Sequence, residues 1–314
     1  MALDLSDNPY LDTALKPLRP IFNRKDLMEI VANQPGEVLL EIAGQGWDKV
    51  SAPDLTKDYW QRLCHVLAGY AGLEFGENNS TLSVQLPGGH RFQALVGKAT
   101  TTEVSVSIRI QRQTKTSLED FDLNQDQIKL ITDAVKEEAN ILISGGTSTG
   151  KTTFLNLLLP HIPSDKRIIT IEDTRELIVP HHNKMHMLVS RNKGVDKTLT
   201  YQDAFDHAMR SRPDRILLGE ISIMNAFPAL LLLNSGHKGF FCTIHADSAS
   251  LALEKGFYQR VALAGHNEVD QHDLADYLRE TLDLVIQIKK VNNKRKITEI
   301  WFPQKGKPKK LLQS

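Results

Sequence analysis

Apolar and polar positions fall into two regimes along the chain. Between Thr56 and Ala71, Trp60, Leu63, Cys64, Leu67 and Ala68 recur at helical spacing, which predicts a helix there. Leu82-Ser83-Val84-Gln85-Leu86 alternates with period two, Pro87-Gly88-Gly89 turns the chain, and Arg91 to Val96 returns as a strand. Glu103 to Ile110 alternates again, with Val104, Val106, Ile108 and Ile110 on one face. Residues 1–112 therefore read as a mixed α/β N-terminal domain.

The pattern then changes. Gln111 to Ser117 is polar and aperiodic, and a linker is expected over 113–120. Ser117 and Asp120 stand at capping-box spacing for a short helix. A longer helix is predicted over Gln125 to Glu138, with Ile128, Ile131, Ala134 and Val135 inward. Beyond it, strands at Asn140–Ser144, Arg167–Glu172, Met185–Val189, Arg215–Leu218 and Phe240–Ile244 alternate with helices. The helices are read at Lys151–Leu159, Gln202–Arg210 and Asn225–Leu233. Short, almost wholly apolar strands in such alternation predict an α/β domain over 121–314, built on a parallel sheet covered on both faces. Ligands of such sheets sit at the carboxyl ends of the strands.

Length and composition fit this picture. A chain of 314 residues accommodates two domains, and 41% hydrophobic with 24% charged residues is ordinary for a globular protein. No apolar run reaches the 18 or so residues that span a bilayer. Asp4, Asp7 and Asp12 lie where a secretory signal carries positive charge. Cys64 and Cys242 have neither disulfide-framework nor zinc-site spacing, so a cytoplasmic setting is expected. The net charge is zero, yet residues 289–314 hold nine Lys and Arg against the single acid Glu299. That surplus is either a solvated tail or a contact for anionic lipid. Basic residues with interleaved aromatics are missing, so sequence-specific nucleic-acid binding is not expected.

The chemistry concentrates at strand ends. Gly145-Gly146-Thr147-Ser148-Thr149-Gly150-Lys151-Thr152-Thr153 contains the pattern G-x-x-x-x-G-K-[ST] between a strand and a helix. Glycines allow successive N–H groups to surround a phosphate, and the helix N-terminus adds partial positive charge. Lys151 is expected on the β- and γ-phosphates of a nucleoside triphosphate, and the Thr152 hydroxyl on Mg²⁺. The strand 215–218, followed by Gly219 and Glu220, offers a carboxylate for the same metal. The strand ending in Glu172-Asp173 offers a group to orient and deprotonate water. Glu172 is the first choice and Asp173 the alternative; one of the two caps the following turn instead. This strand is expected beside the Gly145 strand or one strand away. His245 ends a further apolar strand, in position to sense the terminal phosphate. His181, His182 and His186 lack companion ligands at metal spacing and read as loop and strand residues.

These segments, in this order, resemble the secretion ATPase superfamily: Walker A at 145–152, an acidic box at 168–177, Walker B at 215–220 and a His box at 236–246. The strings IEDTREL, RPDRILLGE and SGHKG…TIHA are most similar to the traffic ATPases of type IV secretion and conjugation. The resemblance implies a RecA-like C-terminal domain, a smaller N-terminal domain, a homohexamer, and ATP hydrolysis that drives substrate transport or pilus assembly. It also implies partners among other secretion-system ATPases and inner-membrane components, with the ring peripheral to that membrane. It places N-terminal-domain arginines on the phosphates, at the positions of Arg91, Arg109 and Arg112. Relatives commonly carry Arg two positions after the Walker B Glu and Glu three further on; Ser222 and Asn225 stand there. Loss of that ion pair puts coupling in question. The alternatives are a pilus or type II motor, although two cysteines do not supply the four-cysteine zinc module common in type II motors. Others are a nucleotide-gated docking ring with little hydrolysis, and a DNA-translocating helicase.

Overall fold

A computed structural model describes residues 8–24, 26–111, 116–189, 199–292 and 294–306, together with the backbone of 309–310. These divide into two units, one within residues 1–114 and the other within 115–189 and 199–314.

The first unit contains the helices α1 (Pro9–Leu15), α2 (Arg19–Phe22) and α3 (Lys57–Ala71). Its strands are β1 (Leu27–Ala32), β2 (Glu37–Ile42), β3 (Gly46–Ser51), β4 (Thr81–Gln85), β5 (Arg91–Val96) and β6 (Val104–Arg109). They form one antiparallel sheet in the order β3-β2-β1-β6-β5-β4. The sheet is antiparallel because hairpin turns join β1 to β2, β2 to β3 and β4 to β5. Helix α3 starts where the Thr56 side chain accepts the Tyr59 N–H, and stops at Gly72, whose φ of 66° a β-carbon would strain. Its apolar stripe of Trp60, Leu63, Cys64 and Leu67 shares one core with Leu82, Phe92, Val104 and Ile108 of the sheet.

The second unit is wound around a larger sheet. In chain order it holds α4 (Gln125–Lys136), β7 (Ile141–Gly145), α5 (Lys151–Leu158), β8 (Ile168–Glu172), β9 (Lys184–Leu188), α6 (Tyr201–Arg210), β10 (Arg215–Leu218) and α7 (Ala226–Leu233). After these come β11 (Phe241–Ile244), α8 (Ala249–Leu251), α9 (Phe257–Leu263), α10 (Gln271–Thr281), β12 (Leu284–Val291), β13 (Lys294–Trp301) and β14 (Lys309–Lys310). The strand order is β14-β13-β12-β7-β11-β10-β8-β9. The six strands from β12 to β9 run parallel, and β13 and β14 add antiparallel to one edge. Period two sorts the side chains onto the faces. Ile141 and Ile143 meet Phe154, Leu155 and Leu158 of α5, whereas Leu142 joins the helices α6, α7, α9 and α10 on the other side. The core shared by β7 and α5 continues into Ile131 and Val135 of α4. Truncating Ile143 to Ala would cost about 2–5 kcal/mol.

Two expectations need adjusting. Leu118 is buried in the core of the second unit and Phe121 is fully buried beside it, so that unit begins inside the segment read as linker. The Ser117 N–H donates to Asp120, which starts the short turn Glu119–Phe121. The charges read as a C-terminal tail begin in regular structure. Lys289 and Lys290 lie on β12 and Arg295 and Lys296 on β13, while β14 pairs with β13 through Ile300 and Glu299. Residues 311–314 lie outside the described set, as does Arg112.

Candidate active site

Strand order brings the candidate loops together at the carboxyl ends of adjacent interior strands of the large sheet. β11 lies between β7 and β10, so the loops after β7, β11 and β10 emerge side by side. The loop after β7 is shaped by its small residues. Gly150 adopts φ 96° and Ser148 φ 58°. A β-carbon on Gly145 would stand 2.6 Å from the Ile288 carbonyl oxygen and 2.7 Å from Thr149 Oγ1. On Gly150 it would stand 2.8 Å from Arg295 Cδ. The Thr149 hydroxyl donates to Gly146 O at 2.9 Å and braces the bend. Gly146, Thr147 and Ser148 line its open side, and Thr152 and Thr153 sit half-buried in the first turn of α5.

Lys151 is the buried charge of this loop, at 6% exposure. Its ammonium donates to Gly145 O at 3.1 Å and Gly146 O at 3.0 Å, and stands 3.0 Å from His245 Nδ1. An ammonium only donates, so Nδ1 accepts and the imidazole proton rests on Nε2. Nε2 in turn lies 3.3 Å from Glu220 Oε2. Lysine, histidine and glutamate from three loops thus form one connected chain. The Glu220 loop is laced to its neighbours by backbone and hydroxyl bonds: Ile221 N–H to Thr243 O at 2.7 Å, and Thr243 Oγ1 to Gly219 O at 2.8 Å.

Asn225, where the resemblance places an acid, is fully buried and neutral. Its Oδ1 accepts the Ser222 N–H at 2.8 Å and its Nδ2 donates to Glu220 O at 2.9 Å. An amide pins this turn from both ends without an ion pair.

The acidic strand lies farther off than the sequence suggests. Both β11 and β10 separate β8 from β7, so their axes stand about 14 Å apart at ordinary strand spacing. The reason is the crossover order, which the strand pattern does not encode. Glu172 packs against the next strand, its Cγ 3.3 Å from where a Gly219 β-carbon would be. It is 2% exposed. Its Oε1 accepts the N–H groups of Glu176 and Leu177, both at 2.8 Å, and Oε2 accepts from Thr170 Oγ1 at 3.2 Å. Burial pushes its pKa up to about 7, against the opposing pull of those backbone donors. Of the two acids, Glu172 is the one that caps the turn; Asp173 follows it, half-buried. His186 stands 2.8 Å from Thr170 Oγ1, and His181 Nε2 lies 3.1 Å from the carbonyls of Ile162 and Pro163.

In the first unit, Arg91 on β5 and Arg109 on β6 are direct cross-strand partners, and Arg109 is also opposite Glu29 on β1. Directly opposed residues project to the same face, about 5 Å apart at Cβ. Beside them, buried His90 accepts the Gln111 N–H on Nδ1 at 3.0 Å and stacks on Phe22. Burial lowers its pKa to about 4, so the ring stays neutral and fixes the turn before Arg91.

Two groups escape the sequence reading. Arg295 lies along Gly150 because β13 folds back beside β12; the cue is the basic run at 289–296. Arg260 of α9 reaches the loops after β10 and β11, and nothing in its local sequence marks it.

The family described as type II/IV secretion system protein matches residues 15–307. Among curated relatives, the type IV secretion system protein VirB11 of Bartonella quintana is 32% identical, with 92% of this chain and 92% of the relative covered. Among solved structures, the VirB11 ATPase of the Brucella suis type IV secretion system, in complex with sulphate, is 26% identical. The match covers 94% of this chain and 95% of that one, with a TM-score of 0.50. The Legionella pneumophila ATPase DotB is 17% identical, covering 96% and 81% with a TM-score of 0.58, and speaks for the fold alone. Among the described residues, no helix is long and apolar enough to cross a membrane.

Proposed function

The chain belongs to the family of type II/IV secretion system proteins, and from that premise we propose that it is the ATPase of a type IV secretion system. In this reading the second unit is a RecA-like P-loop domain. The observation that carries it is the chain Lys151–His245–Glu220, assembled from three strand ends around a glycine cradle.

The residues suit a nucleoside triphosphate with Mg²⁺. The cradle at Gly145–Gly150 has no room for a side chain at Gly145 and a backbone strained for one at Gly150, and the buried Lys151 ammonium holds carbonyl oxygens that phosphate oxygens can replace. Thr152 and Glu220 are oxygen donors of the kind a hard cation takes. The bound nucleotide supplies the scissile phosphoanhydride, and Mg²⁺ neutralises charge on its oxygens. Lys151 then orients and holds the β- and γ-phosphates. Glu220 holds the metal, and His245 passes the state of Lys151 to it. Asp173 orients the attacking water, presented by the turn that Glu172 fixes. Arg91 and Arg109 supply charge to the terminal phosphate.

We assign the working form to a homohexamer that meets other secretion-system ATPases and inner-membrane components from the cytoplasmic side, with the exposed Lys289, Lys290, Lys294 and Lys305 available to anionic lipid. Phosphate release by the purified chain tests the enzyme: turnover that disappears in Lys151→Ala is expected, and none in the parent chain at any concentration would sink the reading. Light scattering with and without ATP tests the ring.

A further inference from the structure

We infer that Arg260 is a positioning residue of this site, aligning His245 with Glu220 by holding their loops through backbone oxygens. The inference rests on the proposed hydrolysis site and names a residue that acts on it through Ile221 O and His245 O.

The geometry is specific. Arg260 Nε donates to Ile221 O at 3.0 Å, Nη2 to His245 O at 3.3 Å, and Nη1 to Gly256 O at 2.7 Å. Ile221 is the residue after Glu220, and His245 is the residue that bridges Lys151 and Glu220. One guanidinium therefore clasps the loops of both partners in the 3.3 Å contact. From the other side Gln287, fully buried on β12, donates to Ala246 O at 3.1 Å, so both carbonyls flanking the 245–246 step are held.

The site needs such a device. Glu220 and His245 are each more than a third exposed, so packing alone does not hold them. An error of about 1 Å in a catalytic group costs on the order of 100-fold in rate. A planar guanidinium with five fixed N–H groups suits three carbonyls at once; an ammonium on a flexible stem does not. The helix is also phased for the task. Ala252–Gly256 forms a π-helical turn directly before α9. A π turn carries an extra residue, which rotates the helix beyond it by roughly 100° relative to a continuous α-helix. That rotation sets the face on which Arg260 leaves α9.

The test uses the full chain with Arg260→Gln and Arg260→Lys, read by phosphate release, binding of a fluorescent ATP analogue, thermal melting, and nitrogen NMR of ¹⁵N-histidine-labelled protein. Positioning predicts kcat lower by about 10- to 100-fold in both variants, with analogue Kd within about threefold and melting within a few degrees. It also predicts that His245, protonated at Nε2 in the parent chain, becomes a mixture of tautomers in Arg260→Gln. Turnover within twofold and unchanged His245 nitrogen shifts would overturn the inference. So would a joint collapse of kcat, affinity and melting temperature in the lysine variant, which would make Arg260 part of the general fold. If the parent chain shows no Lys151-dependent turnover, the ATPase reading fails instead. The nitrogen shifts still decide the placement of His245 by Arg260.

Discussion

The Lys151 ammonium lies 3.0 Å from His245 Nδ1, and this contact links the glycine loop to Glu220. Because lysine can only donate, Nδ1 accepts and the imidazole is held in one tautomer while that contact lasts. On the proposed function, phosphate arriving at Lys151 would compete for the same N–H groups and so couple nucleotide binding to the state of His245. Lys151→Ala is expected to weaken binding of a fluorescent ATP analogue by about 100-fold or more. His245→Ala is expected to leave affinity within about threefold and to lower kcat by about 10- to 100-fold. Equal losses of affinity in the two variants would show that His245 is a binding group and no relay.

Glu172 and Asp173 separate by substitution. Glutamine at 172 keeps an oxygen for the N–H groups of Glu176 and Leu177, so the turn survives. Glu172→Gln should then hold kcat within about threefold, while Asp173→Asn lowers it by about 10-fold or more. Steady-state phosphate release decides between them. A large loss in Glu172→Gln with an unaltered melting temperature would return the water-orienting role to Glu172.

The buried Glu172 carboxyl also gives the fold a pH signature. Its pKa rises from 4.5 to about 7 on folding, chiefly by desolvation. The folded state therefore holds this proton more tightly than the unfolded state does. The stabilisation is complete below pH 4.5 and is lost as pH rises through about 7, a change of roughly 3 kcal/mol. Glu172→Gln cannot titrate there. Melting temperatures of the two proteins should diverge between about pH 5 and pH 8, the parent falling relative to the variant. Parallel curves would place the Glu172 pKa near its ordinary value.

The parallel core is legible because its strands are short and apolar and its helices amphipathic: β10 falls where the pattern puts Arg215–Leu218, and the other four strands read from the pattern differ by one residue at their ends. The strands β1 to β3 are not legible in the same way. β3 is exposed along nearly its whole length, so burial imposes no alternation on it. The hairpin β12–β13 is hidden because its lysines mask a buried run from Leu284 to Ile288. The loops that carry the candidate glycines, Lys151 and Glu220 follow from local motifs. Strand order does not, since it is fixed by long-range pairing, and Arg260 reaches its partners from 15 and 39 residues away.

Asn225 should matter for stability before it matters for rate. Asn225→Ala removes both bonds that close the turn and leaves the Ser222 N–H without its acceptor. The expected cost is about 1–3 kcal/mol in chemical denaturation. Because the amide also holds Glu220 O, kcat should fall with it, and Asn225→Asp should recover only the half that needs an acceptor. Wild-type stability in Asn225→Ala would mean that the turn is held elsewhere.

Activity should fall much further than stability when Arg91 is replaced. Like charges directly opposite each other across two strands are unfavourable, and Arg91 faces Arg109 in this way. An anion that both guanidiniums share would relieve that repulsion. Arg91→Gln removes that repulsion and should therefore cost less stability than Arg109→Gln does. It should lower kcat by about 10- to 1,000-fold, the range expected when a guanidinium that stabilises transferred phosphoryl charge is lost. Arg109→Gln should lower kcat similarly but cost some stability, because Glu29 on β1 loses the opposite charge across from it. The double variant should lose less than the product of the single effects if both act on one phosphate. Phosphate release and thermal melting of the three variants make the comparison, and full turnover in Arg91→Gln would overturn the role proposed for the pair.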